Sequence, residues 1–401
     1  MQLTKTGELA LKNPALITPS VMKWARETAG MSVKDAATRF AKSVAKNIIP
    51  QTVEDWESGE RVPTYSQLEK IARAYERPVI LFYFPKPPEE EPIEEKFRAL
   101  PEARAKKLPP EIRFLVRRAD VFRINLYELH EERNPIAQKI FDNISISSLS
   151  NMKETAADVR HYLNLPEAQQ WKTPDKAFDA RRNCLEKHGL SVFRESFKKE
   201  DDYSGFCLND PQFPVIYINS RMSKSRQSFT LFHELAHILM KKGGVDFRNS
   251  IIDTGLKNEE LICNQFAGEV LVPEEDVMKH LPLNGTFDDN TIKKLATRYM
   301  VSRAVILRKL RDINQIDFDF FDQKTAQLKR EWEERSKSKA SGYVNYANKI
   351  YSSRSKNYTH AAYTRYCRNL INEHEFADYL DVGTKHIDAI AQLAFRNIQT
   401  D

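Results

Sequence analysis

The segment SFTLFHELAHILM constrains this chain more than any other stretch, because two histidines and a glutamate stand inside an otherwise apolar run. Its apolar periodicity predicts a helix over about 225–241. On a helix, side chains four positions apart share a face, so His233 and His237 can hold one divalent ion between them. Glu234, rotated by about 100°, projects toward the open side. Two imidazoles with an adjacent carboxylate suit metal-assisted hydrolysis.

A hydrolytic metal site needs three protein ligands and one exchangeable position. The next helix predicted, over 257–271, offers the third ligand in NEELICNQFAGEVLVPEE. Glu260 is the candidate. Asn264 follows at i+4 on the same face, where it can orient His233 or His237 through a hydrogen bond. Leu261, Phe266, Val270 and Leu271 form an apolar set able to pack on the first helix. The competing reading makes Glu259 and Glu260 a solvated helix N-terminus stabilised by the helix dipole. Cys263 can be mistaken for a soft ligand, but three residues past Glu260 it reads as a small core residue.

Residues about 150 to 315 resemble the ImmA/IrrE family of zinc metallopeptidases. The resemblance rests on the strand FPVIYINS, the HELAH helix and ExxCNxFAGEVLVP, which is similar to the family's ExEANxFAxxLLMP. It implies that His233, His237 and Glu260 bind one Zn2+ per chain and that Glu234 is the catalytic base. Ile262 stands where an acidic residue is usual and Cys263 replaces Ala; neither change removes a ligand. Two histidines and one glutamate also suit Mn2+ or Fe2+. In such chemistry the metal polarises the scissile carbonyl and lowers a water's pKa toward ~7. Glu234 then takes the proton and passes it to the leaving amine. Tyr217, Arg303 and His360 are all conceivable donors to the oxyanion. The strand 213–219 either holds an extended substrate by edge pairing, with Asn219 bracing its end, or is an ordinary sheet edge.

Residues 18 to 84 read as a run of short helices, with Thr18 or Ser20, Ser32 and Thr64 as caps. MKWARETAGMSVKDAATRFAK and VEDWESGERVPTYSQLEKIARAY resemble an XRE-type helix-turn-helix domain, above all in WESGxxxPTxxQLxKIA. The resemblance implies a recognition helix at about Gln51 to Ser58, with Gln51, Thr52 and Arg61 as DNA contacts. Against DNA, Glu54 and Asp55 are expected on its exposed side with Glu57 and Glu60 close behind, where they repel phosphate. The link between the second and third helices is also about two residues longer than the common pattern and lacks its usual glycine. A protein-recognition role therefore stays open beside DNA binding. XRE domains also dimerise, so a homodimer is an open expectation.

Three short β-rich runs, LSVFRES, YSGFCLND and FPVIYINS, predict a small antiparallel sheet. IKKLATRYMVSRAVILRKL reads as a helix-turn-helix-like pair over about 292–310, assigned to core packing ahead of DNA contact. The basic stretch from Lys337 to Arg368 either stacks on single-stranded bases through Tyr351, Tyr358, Tyr363 and Tyr366 or is an amphipathic helix with a solvated face.

The expected fold class is α+β and mostly helical. An XRE-like bundle spans 1–88, a helical linker 89–149, a gluzincin-like core 150–318 and a helical region 319–401. Composition sets the frame. The chain has 401 residues, 41% hydrophobic, enough for about two to four units. It shows no uninterrupted apolar run of membrane length and no secretory start, so a cytoplasmic protein without membrane contact is expected. Cys184, Cys207, Cys263 and Cys367 form no CxxC pair. A net charge of +6 is compatible with nucleic acid without requiring it.

The resulting expectation is a zinc endopeptidase acting on a protein. By family analogy the substrate is a helix-turn-helix repressor in stress, mobile-element or defence regulation. The alternative is a DNA-binding regulator or antitoxin-like module whose metal site is structural or vestigial. Glu234 favours the enzyme, since a structural site needs no base and would close with a fourth protein ligand. None is evident in the sequence.

Overall fold

A computed structural model describes residues 16–93, 108–146, 151–167, 171–197, 203–241, 244–247, 258–282, 287–336 and 345–398. The chain divides into two compact units, Met1–Glu95 with Pro101–Arg117, and Lys96–Leu100 with Arg118–Asp401.

In the first unit, helices α1 (Pro19–Thr28), α2 (Val33–Ser43), α3 (Pro50–Ser58) and α4 (Tyr65–Tyr75) are followed by a 3-10 turn, Val79–Tyr83. Ser32 and Thr64 each build a reciprocal capping box, with Asp35 and Gln67 respectively. Thr18 makes no side-chain cap; Pro19 supplies the preset φ at the start of α1 instead. Phe40, Val53, Trp56, Leu68, Ile71, Tyr75 and Phe82 interlock in one core. Arg26 clamps Glu57 with two bonds of 2.7 and 2.9 Å and donates to the Met31 carbonyl at 2.8 Å. That ties α1 to α3.

Helix α5 (Pro110–Leu129) belongs to the first unit up to Arg117 and to the second from Arg118. The second unit continues with α6 (Met152–Tyr162), α7 (Pro174–Lys187), strands β1 (Ser191–Glu195), β2 (Tyr203–Leu208) and β3 (Val215–Asn219), then α8 (Lys224–Leu239), β4 (Gly244–Phe247) and α9 (Asn258–Leu271). Then come α10 (Asp289–Arg298), α11 (Arg303–Asp312), α12 (Phe318–Ser336), α13 (Tyr346–Ser353), α14 (Lys356–Cys367), α15 (Glu373–Leu380) and α16 (Ile387–Ile398). The chain is mostly helical α+β, as its periodicity predicts.

The sheet corrects one expectation. Its order is β1-β3-β2-β4 and it is mixed, because β1 pairs with β3 in parallel while β2 is antiparallel to both β3 and β4. The β2–β3 hairpin reverses the chain, so β3 returns in the direction of β1 and accepts it as a neighbour. Strand β3 is therefore interior, and the stretch 213–219 has no open edge for a substrate. Asn219 does brace the strand end: it accepts from the Arg221 amide at 3.1 Å and donates to the Tyr203 carbonyl at 2.9 Å.

Side-chain alternation along β3 decides what each face meets. Ile216 and Ile218 join Phe232, Leu235, Phe266 and Val270 in the larger core beneath α8 and α9. Tyr217 points the other way and stacks on Phe206, with centroids 5.1 Å apart. Phe193 lies on Tyr217 and on Phe122 of α5 in turn. The α10–α11 pair packs as core, placing Ile292, Leu295, Val305, Ile306 and Leu310 in the same cluster as α8.

Helix α8 lies almost directly on β2 at Gly205. A Cβ there would come within 2.6 Å of the Thr230 methyl and 2.8 Å of the Tyr217 carbonyl oxygen. Neither neighbour gives cheaply, since one belongs to the buried helix and the other to strand backbone. Gly205→Ala is expected to destabilise by about 1–3 kcal/mol, seen as a lower midpoint in thermal unfolding. An unchanged midpoint would refute the tight approach.

The C-terminal helices belong to this same unit through buried bonds. Arg182 of α7 donates to the carbonyls of Val192, Ser352 and Arg354, and Asn357 donates to the Glu186 carbonyl at 2.6 Å. Tyr358 is fully buried, with its hydroxyl on the Tyr379 carbonyl at 2.6 Å, so it is withdrawn as a base-stacking residue. Tyr366 stacks on Phe376 at 5.0 Å and Tyr351 bonds His360 at 3.0 Å. These rings are engaged within the protein, and residues 337–344 of that stretch lie outside the described residues.

The β2–β3 hairpin is pinned at Asp210, which accepts from Tyr127 at 2.7 Å, Arg123 at 2.6 Å and the amides of Gln212 and Phe213. Burial works against its charge, but the bonds from the Phe213 amide, Tyr127, the Gln212 amide and Arg123 outweigh it and hold the carboxyl below the usual aspartate range. A depressed folded-state pKa means stability present above the unfolded pKa, near 3.9, and lost as pH falls through the folded value. Asp210→Asn is expected to cost about 2–3 kcal/mol at neutral pH, with the gap to wild type closing below about pH 4. Urea unfolding across that range measures it; a gap independent of pH would contradict the assignment.

Candidate metal centre

Ser223 opens α8 by accepting from the Arg226 amide at 3.3 Å, and every residue from Gln227 to Leu239 is buried. The helix therefore carries His233, Glu234 and His237 into the interior, each fully shielded. The two imidazole rings sit 5.1 Å apart at 67°. Helix α9 packs across α8 through Phe266, Ala267 and Val270 and brings Glu260 over both rings.

The carboxylate of Glu260 spans the pair. Its Oε2 lies 3.3 Å from His233 Nε2 and its Oε1 lies 3.5 Å from His237 Nε2. Donor atoms each about 2.0–2.2 Å from a tetrahedral ion stand about 3.3–3.5 Å from one another. The three groups thus fit one small divalent ion. On the far side of His233, Nδ1 meets Asn264 Oδ1 at 3.1 Å. Asn264 accepts there only if Nδ1 carries the proton, which leaves Nε2 with its lone pair toward Glu260. Between the two histidines, the geometry selects His233 as the partner of Asn264.

Glu234 is turned toward the sheet, close to Gly205 of β2. It follows His233 in the helix and is not one of the groups that bridge the imidazoles.

Cys263 is the core residue that the sequence predicts, and it also lies near the imidazoles. It is wholly buried, as a core residue should be, yet its sulfur and the ligand atoms of His233 and His237 lie within 4.8 Å of one another. Its spacing is the signal that was available: at i+3 from Glu260 and i−1 from Asn264, it shares the face of α9 that looks at α8.

The three conceivable oxyanion donors are not gathered here. Tyr217 faces away from α8 and donates to Glu195 at 2.8 Å. Arg303 pairs with Glu331 at 2.6 Å, and His360 with Tyr351.

In the first unit, Gln51 and Arg61 are exposed and Thr52 is buried beside Val53 and Trp56. Thr52 is therefore withdrawn as a DNA contact, because the inward stripe of α3 begins with it. Gln51 spends an amide hydrogen on Asp55 at 3.0 Å, and Glu57 is taken by Arg26 and lost from the outer surface. Glu54 and Glu60 remain exposed.

Residues 185–311, which hold the whole cluster, match the family model of the IrrE N-terminal-like domain, peptidase M78. Over 106 residues the chain is 35% identical to the radiation response metalloprotease IrrE of Deinococcus radiodurans, covering 25% of this chain and 32% of that protein. Over 93 residues it is 36% identical to the protein of the same name from Deinococcus deserti, covering 22% and 32%. The chain thus spans about a third of the length of these curated relatives. His233, Glu234, His237, Glu260, Cys263 and Asn264 all fall inside the matched residues 185–311, whereas the first unit lies wholly before them.

Proposed function

We propose that this chain is a zinc-dependent endopeptidase. The observation that carries the reading is the convergence of His233, His237 and Glu260 on one point with Glu234 beside them, inside a domain similar to that of two named metalloproteases. His233 Nε2, His237 Nε2 and Glu260 would hold the ion. Bound there, it supplies Lewis acidity toward a carbonyl oxygen and toward water.

This chain's own residues do the rest. Glu234 accepts the proton of the attacking water and returns it to the leaving amine. Burial of His233, Glu234 and His237 keeps bulk water from competing with these groups. Asn264 holds His233 in one tautomer and one orientation. Strand β4 is an outer strand of the sheet among the described residues, so an extended peptide has an edge to pair with there, in place of β3.

The substrate is a protein, and the names of the relatives support a stress-response setting. The XRE-like module fits docking of a protein, such as a helix-turn-helix repressor, better than docking of DNA. Glu54 and Glu60 are exposed on or beside α3, and Gln51 is tied to Asp55. No helix among the described residues is long and apolar enough to cross a membrane. One observation favours the second reading, a DNA-binding regulator or antitoxin-like module with a structural metal: the sulfur of Cys263 beside the imidazoles.

The test compares new protein N-termini in cells expressing wild type or Glu234→Gln, with and without DNA damage. Peptides that appear only with wild type, including some from a helix-turn-helix protein, are the expected result. Identical sets in both conditions, with both proteins stable and metal-loaded, would sink the peptidase reading.

A further inference from the structure

His233, His237 and Glu260 account for a metal held by nitrogen and oxygen, and the sulfur of Cys263 stands beside them. It is fully buried, and its Sγ lies within 4.8 Å of the ligand atoms of His233 and His237. Its neighbours on α9 fix its direction. Glu260, one turn earlier, reaches both imidazoles, and Asn264, the next residue, holds His233 Nδ1 at 3.1 Å. With those two anchored, α9 cannot rotate Cys263 away from the cluster without breaking both contacts. An imidazole nitrogen of each histidine within 4.8 Å of the sulfur, on the face of α9 that carries Glu260 and Asn264, puts the thiol within reach of an ion that these groups share.

We propose that Cys263 is a fourth ligand of the same ion, giving a His-His-Glu-Cys centre that is closed at rest and opens when the sulfur yields its place to substrate. The inference rests on the metal-site reading above and adds a regulation to it. Four protein donors complete a tetrahedral site, which is the arrangement of structural metals, whereas hydrolysis needs one position free. Sulfur leaving the ion is a ligand exchange: no bond of the chain breaks and no oxidant or reductant is consumed. A soft donor also biases the centre toward zinc and away from manganese.

X-ray absorption on the zinc-loaded full chain tests this without any substitution. A sulfur scatterer at about 2.3 Å is expected, against only nitrogen and oxygen at about 2.0–2.2 Å for a three-ligand site. In parallel, Co2+ added to the metal-free protein should give a sulfur-to-cobalt charge-transfer band in the near ultraviolet, lost in Cys263→Ala and in Cys263→Ser. Circular dichroism of the variants checks that they fold. Cobalt bound in full with no such band, together with no sulfur in the zinc shell, overturns the fourth ligand and leaves the three-ligand centre standing. A protein that takes up neither metal overturns both. The resting closure is read separately: Cys263→Ala should cleave faster than wild type, and a slower variant that still holds metal would refute it.

Discussion

Glu234→Gln is expected to lower peptide cleavage by about 10²–10⁴-fold, the span that a positioned general base contributes. Metal content should stay at one ion per chain and thermal unfolding should be unchanged. Gln is nearly the same size, so the contact of this side chain with β2 near Gly205 survives. His233, His237 and Glu260 are untouched. What disappears is the ability to accept a proton. Initial rates on a peptide taken from an observed cleavage site, alongside elemental analysis of both proteins, make the comparison. Equal rates would show that Glu234 carries no proton and that hydrolysis, if present, uses another group.

The second large effect separates a ligand from its support. His233→Ala removes one of the groups spanned by Glu260 and leaves that carboxylate beside a gap, so the ion and the activity should both be lost. Asn264→Ala leaves all the proposed ligands in place and removes only the hydrogen bond to His233 Nδ1. Loss of such a support typically weakens metal affinity about 10–100-fold. Competition against a zinc chelator, read on folded protein, ranks the three forms. If Asn264→Ala binds as tightly as wild type, the tautomer argument fails. If His233→Ala keeps the ion, the centre lies elsewhere.

How far the sequence could be read follows from what each pattern encodes. The pairing of α8 with α9 was legible because His233, His237, Glu260 and Asn264 obey helical spacing, and helical spacing fixes a face whatever lies around it. Capping at Ser32 and Thr64 was legible for the same reason, being local. The direction of β1 was not, since parallel and antiparallel neighbours carry the same alternation and only the hairpin at Asp210 decides which strand β1 meets. Thr52 was misjudged because a small polar residue fits either side of a helix, and Val53 and Trp56 pulled it inward. The place of Tyr358 was left open because its hydroxyl could reach the Tyr379 carbonyl only once α14 and α15 were folded together. Cys263 was the subtlest case. A core position and a ligand position look alike in sequence when the residue is apolar enough for one and nucleophilic enough for the other.

Helices α8 and α9 are separate in sequence, and the proposed donors are divided between them, His233 and His237 on one, Glu260 and Cys263 on the other. An ion seated there is a cross-link between two segments joined by 240–257. Its departure would free α9 to fray, so the backbone amides of α9 should exchange with deuterium sooner than those of α8 once the metal is stripped. The same cross-link would make the metal-loaded protein resist limited proteolysis better than the metal-free one.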